Sequence, residues 1–235
     1  MSVIVLAGGK SQRMGSDKAF LQLGQRSFIS ILVEEMLSVS DDLIVVIGTK
    51  SPKRFTKEIK DERVRFANDW NYLENPLGGM LTGFRISNSE YAAVVACDSP
   101  LVRKGLLRCL FSAARGHDAA VPIWDTEHKL SMEPLCAVYN VSSMKKEIDN
   151  SLRKGVSGCK HVVLSLQDVN YVPVSDLRQY DPCLISLRNI NTKSDYEELL
   201  QELAVPNIIS ARRTDVQAKR EVPTRYGPQI LTAGS

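Results

Sequence analysis

A loop rich in glycine and basic residues, which follows the first apolar run of the chain, carries the residue types best suited to chemistry. The sequence LAGGKSQRMGSDK begins at Leu6 and ends at Lys18. Gly8 and Gly9 let a ligand approach the backbone where a Cβ atom would clash, and their N–H groups can face a base or phosphates. Arg13 and Lys18 add positive charge suited to a triphosphate and to a pyrophosphate leaving group. The pattern predicts a nucleotide-binding loop with two catalytic cations.

Two common phosphate-binding motifs do not fit this loop. A Walker A motif would need its first glycine at position 4, which is isoleucine. A dinucleotide fingerprint, G-x-G-x-x-G, fails because the Gly8-Gly9 pair is followed by lysine, serine and glutamine. On its own, the glycine pair also fits a plain turn followed by surface charges. The combination with Arg13, Gly15 and Lys18 favours a nucleotide cradle of a third kind.

Asp98 is a second candidate for chemistry, because it follows the apolar run AAVVAC and precedes Ser99-Pro100. Carboxylates at the carboxyl end of a parallel strand point into the crevice where α/β sheets bind ligands. A carboxylate oxygen there suits Mg²⁺ that bridges phosphate oxygens. Taken alone, Asp98 equally fits a turn or helix cap before Pro100. The glycine loop earlier in the chain favours a metal site at Asp98.

The elements that must position these residues alternate between short apolar strands and amphipathic helices. Short Val/Ile/Ala runs are typical of a parallel sheet that is buried on both faces. The order predicts an α/β fold with a three-layer, doubly wound, mostly parallel sheet in a single domain, residues 1–204. Ser194 is the predicted N-cap of the last helix. Strands are predicted at 2–8, 42–48, 63–68, 91–98, 118–124, 133–139, 169–174 and 183–190, and helices at 28–39, 77–87, 105–115, 142–153 and 194–204.

Composition and charge restrict the class of protein. The net charge of +3 is carried by residues 205–235, a polar, proline-interrupted segment that we predict to be a flexible or partner-docking basic tail. The neutral remainder has no basic stripe, which argues against nucleic-acid binding. Five scattered cysteines without a CxxC pair suit a reducing compartment. With no long apolar run and no signal sequence, we expect a cytoplasmic protein without a membrane segment.

Five motifs in order resemble the molybdenum cofactor guanylyltransferases, the MobA-like members of the nucleotidyltransferase superfamily. They cover roughly residues 1 to 203 and comprise LAGGKSQRMGSDKAFLQL, NDWNYLENPLGGMLTG, VVACDSPLV, EPLCAVY and NINTKSDYEEL. The resemblance implies a fold like that of nucleotide-diphospho-sugar transferases, related to the Rossmann fold. It also implies GTP and molybdopterin as substrates and Mg²⁺ as cofactor.

The resemblance further assigns a nucleotide-binding set. Asp69 would help to hold the guanine, since a carboxylate can accept paired N–H donors from a guanine edge, although it also fits an exposed turn. Gly78 and Gly79 would permit close approach of the ribose or base, or else form a tight turn. Thr49 is the weakest member, because relatives often have asparagine there. The whole set is Leu6, Ala7, Gly8, Gly9, Lys18, Thr49, Asp69, Gly78, Gly79 and Asp98, with Asp98 also the metal ligand.

The pterin side is less completely matched. By resemblance, Asn189 and Asn191 contact the molybdopterin, and their alternation around Ile190 predicts that both face one side of a strand. Both also fit a capping role before the final helix. Relatives often carry an arginine pair after a glycine on the preceding helix, whereas this chain reads RKGVSGCKHVV. Lys160 or His161 could substitute for that pair.

The implied reaction is transfer of GMP from GTP to the phosphate of molybdenum- or tungsten-bound molybdopterin, with release of pyrophosphate. The attacking phosphate is already anionic, so no strong general base is needed. A cytidylyltransferase acting on molybdopterin or on another small alcohol phosphate would share Lys18 and Asp98. A GTP-binding adaptor would use the same loop without catalysis. Molybdopterin-insertion proteins or molybdoenzyme chaperones are further expected partners.

Overall fold

The first strand of the chain, β1 (Ser2–Leu6), lies inside the main sheet with a parallel neighbour on each side. In the computed structural model, which describes residues 1–9, 17–69, 75–126 and 129–204, Val3, Ile4 and Val5 have no solvent exposure. β-branched residues suit this position because both faces of the strand are covered. The predicted buried parallel strand is therefore confirmed.

The main sheet has eight strands in the order β10-β7-β9-β6-β1-β4-β5, with β8 paired to β7. β9 runs antiparallel to β6 and β7, and β8 antiparallel to β7, while the other pairs are parallel. β2 and β3 form a separate hairpin. The strands after β1 are β2 (Gln22–Leu23), β3 (Arg26–Ser27), β4 (Leu43–Val46), β5 (Val64–Ala67), β6 (Tyr91–Ala96), β7 (Ala119–Thr126), β8 (Lys129–Met132), β9 (Cys136–Asn140) and β10 (Val169–Pro173).

Helices cover both faces of this sheet. One core cluster joins the apolar sides of the first, second, fourth and seventh helices to one face, and another joins the third, fifth and sixth helices to the opposite face. This is the predicted three-layer arrangement. The helices are α1 (Phe28–Leu37), α2 (Pro52–Glu58), α3 (Pro76–Ile86), α4 (Lys104–Ala113), α5 (Val141–Arg153), α6 (Cys159–Leu164), α7 (Val174–Leu177) and α8 (Lys193–Ala204), with 3₁₀ turns at Lys18–Phe20 and Ile185–Leu187.

The last predicted strand, residues 183–190, is wrong. Its centre is a 3₁₀ turn, and the preceding Leu184 has a positive φ of 51°. Buried polar contacts hold this turn, since the backbone N–H of Ser186 donates to Asp181 Oδ2 at 2.7 Å and Ser186 Oγ accepts from the N–H of Arg103 at 3.0 Å. The apolar residues that suggested a strand, Leu184 and Leu187, pack against the helical layer instead.

Ser194 was also wrongly predicted as the cap of the last helix. α8 begins one residue earlier, at Lys193. The hydroxyl of Thr192 accepts from the N–H of Asp195 at 3.2 Å, and Asp195 Oδ2 accepts in return from the N–H groups of Asn191 and Thr192. These reciprocal bonds form a capping box around Thr192. The hairpin, α2, α6, α7 and β8 were not predicted.

Within the described residues, no helix has the length and apolar character needed to cross a bilayer. The predicted tail, residues 205–235, lies outside the described residues. Arg13 and Gly15 of the glycine loop lie outside them as well.

A glycine face lets α3 approach β1 closely. A Cβ atom on Gly83 would lie 3.0 Å from Ile4 Cδ1 and closer still to Cγ2. Ile4 is fully buried at the centre of the sheet and cannot move aside without disturbing its neighbours.

We therefore expect Gly83→Ala to lower the free energy of unfolding by about 1 to 3 kcal/mol through overpacking. Ile4→Ala removes the side-chain atoms that would clash, so the double variant should lose less than the sum of the two single losses. Urea denaturation of the four proteins measures this coupling. Strictly additive losses would show that α3 does not depend on the glycine contact.

Candidate active site

The carboxyl ends of β1, β4 and β6 meet at one edge of the sheet, and two glycines let the first two come together. A Cβ atom on Gly8 would lie 3.1 Å from both Cα and N of Gly48. Gly48 has a φ of 65° and Gly9 a φ of 103°, backbone conformations that favour glycine. The carbonyl of Gly48 accepts from the N–H of Asp69 at 3.0 Å. The glycine pair in the loop thus serves both a close approach and a turn.

The strand end itself is held by backbone bonds. The N–H of Ala7 donates to the carbonyl of Val46 at 2.8 Å, and the carbonyl of Leu6 accepts from the N–H of Cys97 at 3.0 Å. The predicted contacts Leu6 and Ala7 are therefore fixed between β4 and β6. The side chain of Leu6 packs beside Gly79.

Lys18 returns to the same edge after the loop. It opens a 3₁₀ turn whose N-cap is Asp17. Its Nζ donates to Asn191 Oδ1 at 2.8 Å and lies 3.5 Å from Asp98 Oδ2. Its side chain is only 14% exposed. The structure thus brings together three predicted site residues that lie far apart in the sequence.

The segment 189–191 is fastened to the end of β6. The N–H of Ile190 donates to the carbonyl of Asp98 at 2.8 Å, and Ser99 Oγ donates to Asn189 Oδ1 at 2.8 Å. The strand predicted here is absent, so the alternation argument for the two asparagines was wrong. The side chain of Asn189 nevertheless contacts Ser99, just past β6, and that of Asn191 contacts Lys18 from the same docked loop.

Asp98 is arranged to receive a further ligand. Its Oδ1 is buried and has no hydrogen-bond partner within the described residues, while Oδ2 faces Lys18. Those residues contain no cluster of three or more His, Cys, Asp or Glu side chains that could hold a metal alone. Mg²⁺ commonly takes one or two carboxylates and completes its shell with water and substrate phosphates. The donor set at Asp98 fits that kind of site.

Asp69 lies between two glycines at the ends of β4 and α3. Cβ atoms on Gly48 and Gly79 would lie 3.8 and 3.6 Å from its carboxylate oxygens, and its Oδ1 has no hydrogen-bond partner in the described part of the chain. Burial raises the pKa of this carboxyl. Gly78 differs from Gly79, because its N–H already donates to Asn75 Oδ1 at 3.3 Å. Asp69 therefore presents, beside Gly79, a half-buried carboxylate with one oxygen that has no partner among the described residues.

Thr49, the weakest prediction, is exposed in the turn after β4. The next residue, Lys50, reaches inward instead. Its Nζ donates to the carbonyl of Ala7 and to Asp17 Oδ1, both at 2.8 Å. Lys50 therefore ties the returning end of the glycine loop to the end of β1. Sequence reasoning missed this lysine, and the only signal for it was its position one residue past the strand-end turn.

No nucleophilic cysteine or histidine group belongs to the described site. Burial raises the pKa of the Cys97 thiol to about 12, so it is protonated at neutral pH, as expected for a packing residue. His117 pairs with Asp168 at 2.9 Å, at the opposite edge of the sheet, and His161 lies beside Gly158. Chemistry here must rely on charge and positioning.

The raised pKa of Asp69 generates a prediction about stability. The unfolded chain ionises this carboxyl at its ordinary pKa, so an ionised Asp69 in the native state costs free energy at neutral pH. As pH falls through the raised native pKa, the native state takes up the proton first and the cost disappears. Asp69→Asn should therefore raise the free energy of unfolding at pH 7, with the gain shrinking as pH falls toward the ordinary value.

Asp61 supplies a control of opposite sign. Its hydrogen bonds with Arg63 lower its pKa to about 2, so its contribution is present above the ordinary pKa and is lost as pH falls toward 2. Asp61→Asn should destabilise the protein at pH 7. Urea denaturation across pH 4 to 7 measures both variants. A destabilised Asp69→Asn protein at pH 7 would contradict the burial argument.

Comparison with known proteins agrees with this geometry. Residues 3–170 match the family described as the MobA-like NTP transferase domain. A Methanosarcina mazei protein named "Probable molybdenum cofactor guanylyltransferase" is 36% identical over 204 residues, covering 85% of this chain and 89% of the relative.

Two solved structures extend the comparison. Molybdopterin-guanine dinucleotide biosynthesis protein A from Archaeoglobus fulgidus superposes with a TM-score of 0.72 at 27% identity, covering 87% of this chain and 99% of that one. A 2-C-methyl-D-erythritol 4-phosphate cytidylyltransferase from Thermus thermophilus, at 16% identity, TM-score 0.65 and coverage of 86% and 98%, shares the fold alone. The family match and the 36% identity together establish that this chain belongs to the MobA-like NTP transferases.

Proposed function

We propose that this protein transfers GMP from GTP to the terminal phosphate of molybdopterin carrying molybdenum or tungsten, forming the guanine dinucleotide cofactor and releasing pyrophosphate. The observation that carries the proposal is the meeting of Lys18, Asp98 and Asn191 beside the glycine cradle. Relatives named as molybdenum cofactor guanylyltransferases support the choice of substrates.

The nucleotide end of the site favours guanine. Guanine presents two adjacent N–H donors, at N1 and the 2-amino group, which one carboxylate can accept together. The half-buried Asp69, whose Oδ1 has no partner among the residues that the structure describes, lies beside Gly79 and suits that edge. Cytosine presents an acceptor next to its amino group, and an ionised carboxylate would repel it. This contrast supports guanylyl over cytidylyl transfer.

Charge cancellation is the central task of this chain's residues. A phosphate monoester attacking a triphosphate brings two anions together, and it needs no strong base because it is already ionised. Lys18 lies where its ammonium can exchange Asn191 for a phosphate oxygen, and Arg13 remains a predicted second cation. Backbone N–H groups near Gly8 and Gly9 supply further donors. Bound Mg²⁺, held by Asp98, would neutralise phosphate charge.

Asn189 and Asn191 are proposed on the acceptor side. The Asn189 amide accepts from Ser99, just past β6, and the Asn191 amide accepts from Lys18, so both lie near the point where the acceptor phosphate must approach the α-phosphorus. An amide offers a donor and an acceptor, so either can contact a phosphate or a pterin substituent. We further propose that the protein acts in the cytoplasm and delivers its product to insertion proteins or chaperones, with the basic segment 205–235 available for that contact.

A thermal-shift titration tests the nucleotide assignment. In the presence of Mg²⁺, GTP should raise the melting temperature more than CTP, ATP or UTP, because a ligand selective for the native state stabilises it. A preference for CTP would favour a cytidylyltransferase. Pyrophosphate release with molybdopterin then separates an enzyme from a GTP-binding adaptor.

Asp98→Asn should reduce the rate of pyrophosphate release by about a hundredfold or more, since the carboxylate proposed to hold Mg²⁺ beside the reacting phosphates is lost. Because Asp98 Oδ1 is buried without a described partner, the variant should melt no lower than the wild type. Glu62→Gln, an exposed carboxylate remote from the site, is the matched control. A normal rate in the Asp98 variant would contradict its assignment.

Lys50→Met should lower kcat/KM for GTP about tenfold, because it removes two charge-assisted bonds that fix the loop carrying Lys18. Lys50→Arg can still reach Asp17 and should restore much of the loss. Lys53→Met, an exposed lysine on α2, should have no effect. Equal activity of the Lys50 and Lys53 methionine variants would show that the tie is dispensable.

A further inference from the structure

A half-buried carboxylate, Glu133, lies at the same edge of the sheet as Asp98. It precedes β9, and its N–H donates to the carbonyl of Pro122 at 3.0 Å. Two residues later, the carbonyl of Leu135 accepts from the N–H of Ala96, at the end of β6. Because β9 neighbours β6 directly, Glu133 is one strand away from Asp98 on the side opposite β1.

A tryptophan holds this carboxylate in position. Trp124 Nε1 donates to Glu133 Oε1 at 2.8 Å, and both side chains are partly exposed. The Trp124 ring packs against the core cluster that also contains Leu184 and Leu187. Those leucines belong to the turn that leads into Asn189. Glu133 therefore lies on the same side of the sheet as the segment proposed to contact the acceptor.

Glu133 and Asp69 lie on opposite sides of Asp98, since β9 is one strand and β5 three strands away from β6. Asp69 follows β5 and Glu133 precedes β9, four strand positions apart in the sheet, which corresponds to about 19 Å at a strand spacing of about 4.8 Å. Among the Asp and Glu residues that the structure describes, these two have a pKa raised by burial. For Glu133 the Trp124 hydrogen bond and the charge of Lys160 partly oppose that effect.

We propose that Glu133 binds the pterin of the acceptor by accepting the N–H donors of its 2-amino-4-oxo pyrimidine edge, with Trp124 as the positioning residue. This inference rests on the proposed function. The pterin edge carries the same adjacent pair of donors as guanine, so the chemistry that suits Asp69 to one substrate suits Glu133 to the other. Trp124 fills one lone-pair direction of Oε1 and so orients the carboxylate.

The strand order leaves the part of the sheet edge over β6, β9 and β7 for the acceptor. The cradle formed by Gly8, Gly48 and Asp69 lies toward β4 and β5, and a nucleotide there directs its phosphates toward Lys18 and Asp98. An acceptor phosphate that reaches the same point must come from the remaining part of the edge, over β6, β9 and β7. Lys160 lies near enough to Glu133 for its charge to lower the pKa of that carboxyl, so we assign it to the pterin end of the site.

Glu133→Gln tests the assignment without breaking the strand contact. The glutamine carbonyl can still accept from Trp124, but the amide presents N–H donors toward the donors of the pterin. The KM for molybdopterin should rise about tenfold or more, because a charge-assisted acceptor is lost. The KM for GTP should not change, and the melting temperature should not fall, because burial raises the pKa of this carboxyl as it does that of Asp69. Asp69→Asn should do the reverse, raising the KM for GTP alone, and Glu62→Gln, an exposed carboxylate, is the charge-matched control.

A direct binding measurement accompanies the kinetics. The chain has two tryptophans, so in a Trp70→Phe background the emission comes from Trp124. Pterin-6-carboxylate, a stable pterin that absorbs where tryptophan emits, should quench Trp124 in this protein and should not do so after Glu133→Gln. This measurement needs neither turnover nor GTP.

The outcomes separate the two hypotheses. An unchanged KM for molybdopterin in Glu133→Gln, or quenching that survives the substitution, would overturn the assignment. A lower melting temperature with both KM values raised would show a purely structural role and would overturn it as well. If the wild type releases no pyrophosphate with molybdopterin and GTP, the proposed function fails, while the quenching experiment still decides whether Glu133 binds a pterin.

Discussion

The parallel pairing of β1 with β4 on one side and β6 on the other is the constraint on which the site depends. Three strands that run in one direction bring their carboxyl ends to one edge, and the chain crosses from β5 back to β6 through α3 on the opposite face from α1. Such a reversal of strand order opens a crevice at that edge. Gly8, Gly48 and Gly83 are the residues that let the backbones and α3 come close enough to keep it narrow.

Two carboxylates at the crevice have oxygens without a hydrogen-bond partner among the described residues, although its two lysines are paired. Lys50 pairs with Asp17 and Lys18 with Asp98, so the cations are already engaged, yet Asp69 and Asp98 each keep one buried oxygen without a described partner. Buried polar atoms are normally satisfied, and those that are not tend to mark places where something binds. The two carboxylates therefore cost the fold free energy, and a ligand that bonds their buried oxygens would remove that cost. Lys18 and Lys50 are already positioned by Asp98 and Asp17, and a phosphate could replace those carboxylates as their partner.

The residue pattern of the sequence correctly predicted the elements that are formed by a short run of neighbouring residues. Buried β-branched runs located β1, β4 and β6, and the glycine loop with its lysine identified one wall of the site. The prediction of a strand at 183–190 was wrong because its apolar residues have no neighbouring strand to pair with. The turn there is held by hydrogen bonds of Ser186 with the Asp181 side chain and the Arg103 backbone, which the apolar pattern does not reveal. Lys50 and Glu133 could not be found from sequence, because their importance depends on which strands become neighbours. Thr192, rather than the predicted Ser194, caps the last helix, because its hydroxyl accepts from the N–H of Asp195, three residues later.

If the two substrates bind as proposed, the site must still tell their shared donor edges apart, and the arrangement of charges around Asp69 and Glu133 would supply a physical basis for doing so. Asp69 stands between two glycines, and its N–H donates to the carbonyl of Gly48, two residues before Lys50. Lys50 in turn bonds Asp17, beside Lys18, and the two lysines suit a chain of phosphates. Glu133 is instead supported by an indole, and Lys160 is the cation that the described residues place near it. A triphosphate would then gain most at the Asp69 end because its charge would be matched there, and a substrate with a single phosphate would lose least at the Glu133 end. On this proposal, the number of phosphates, rather than the shared ring edge, would determine which substrate binds at which end.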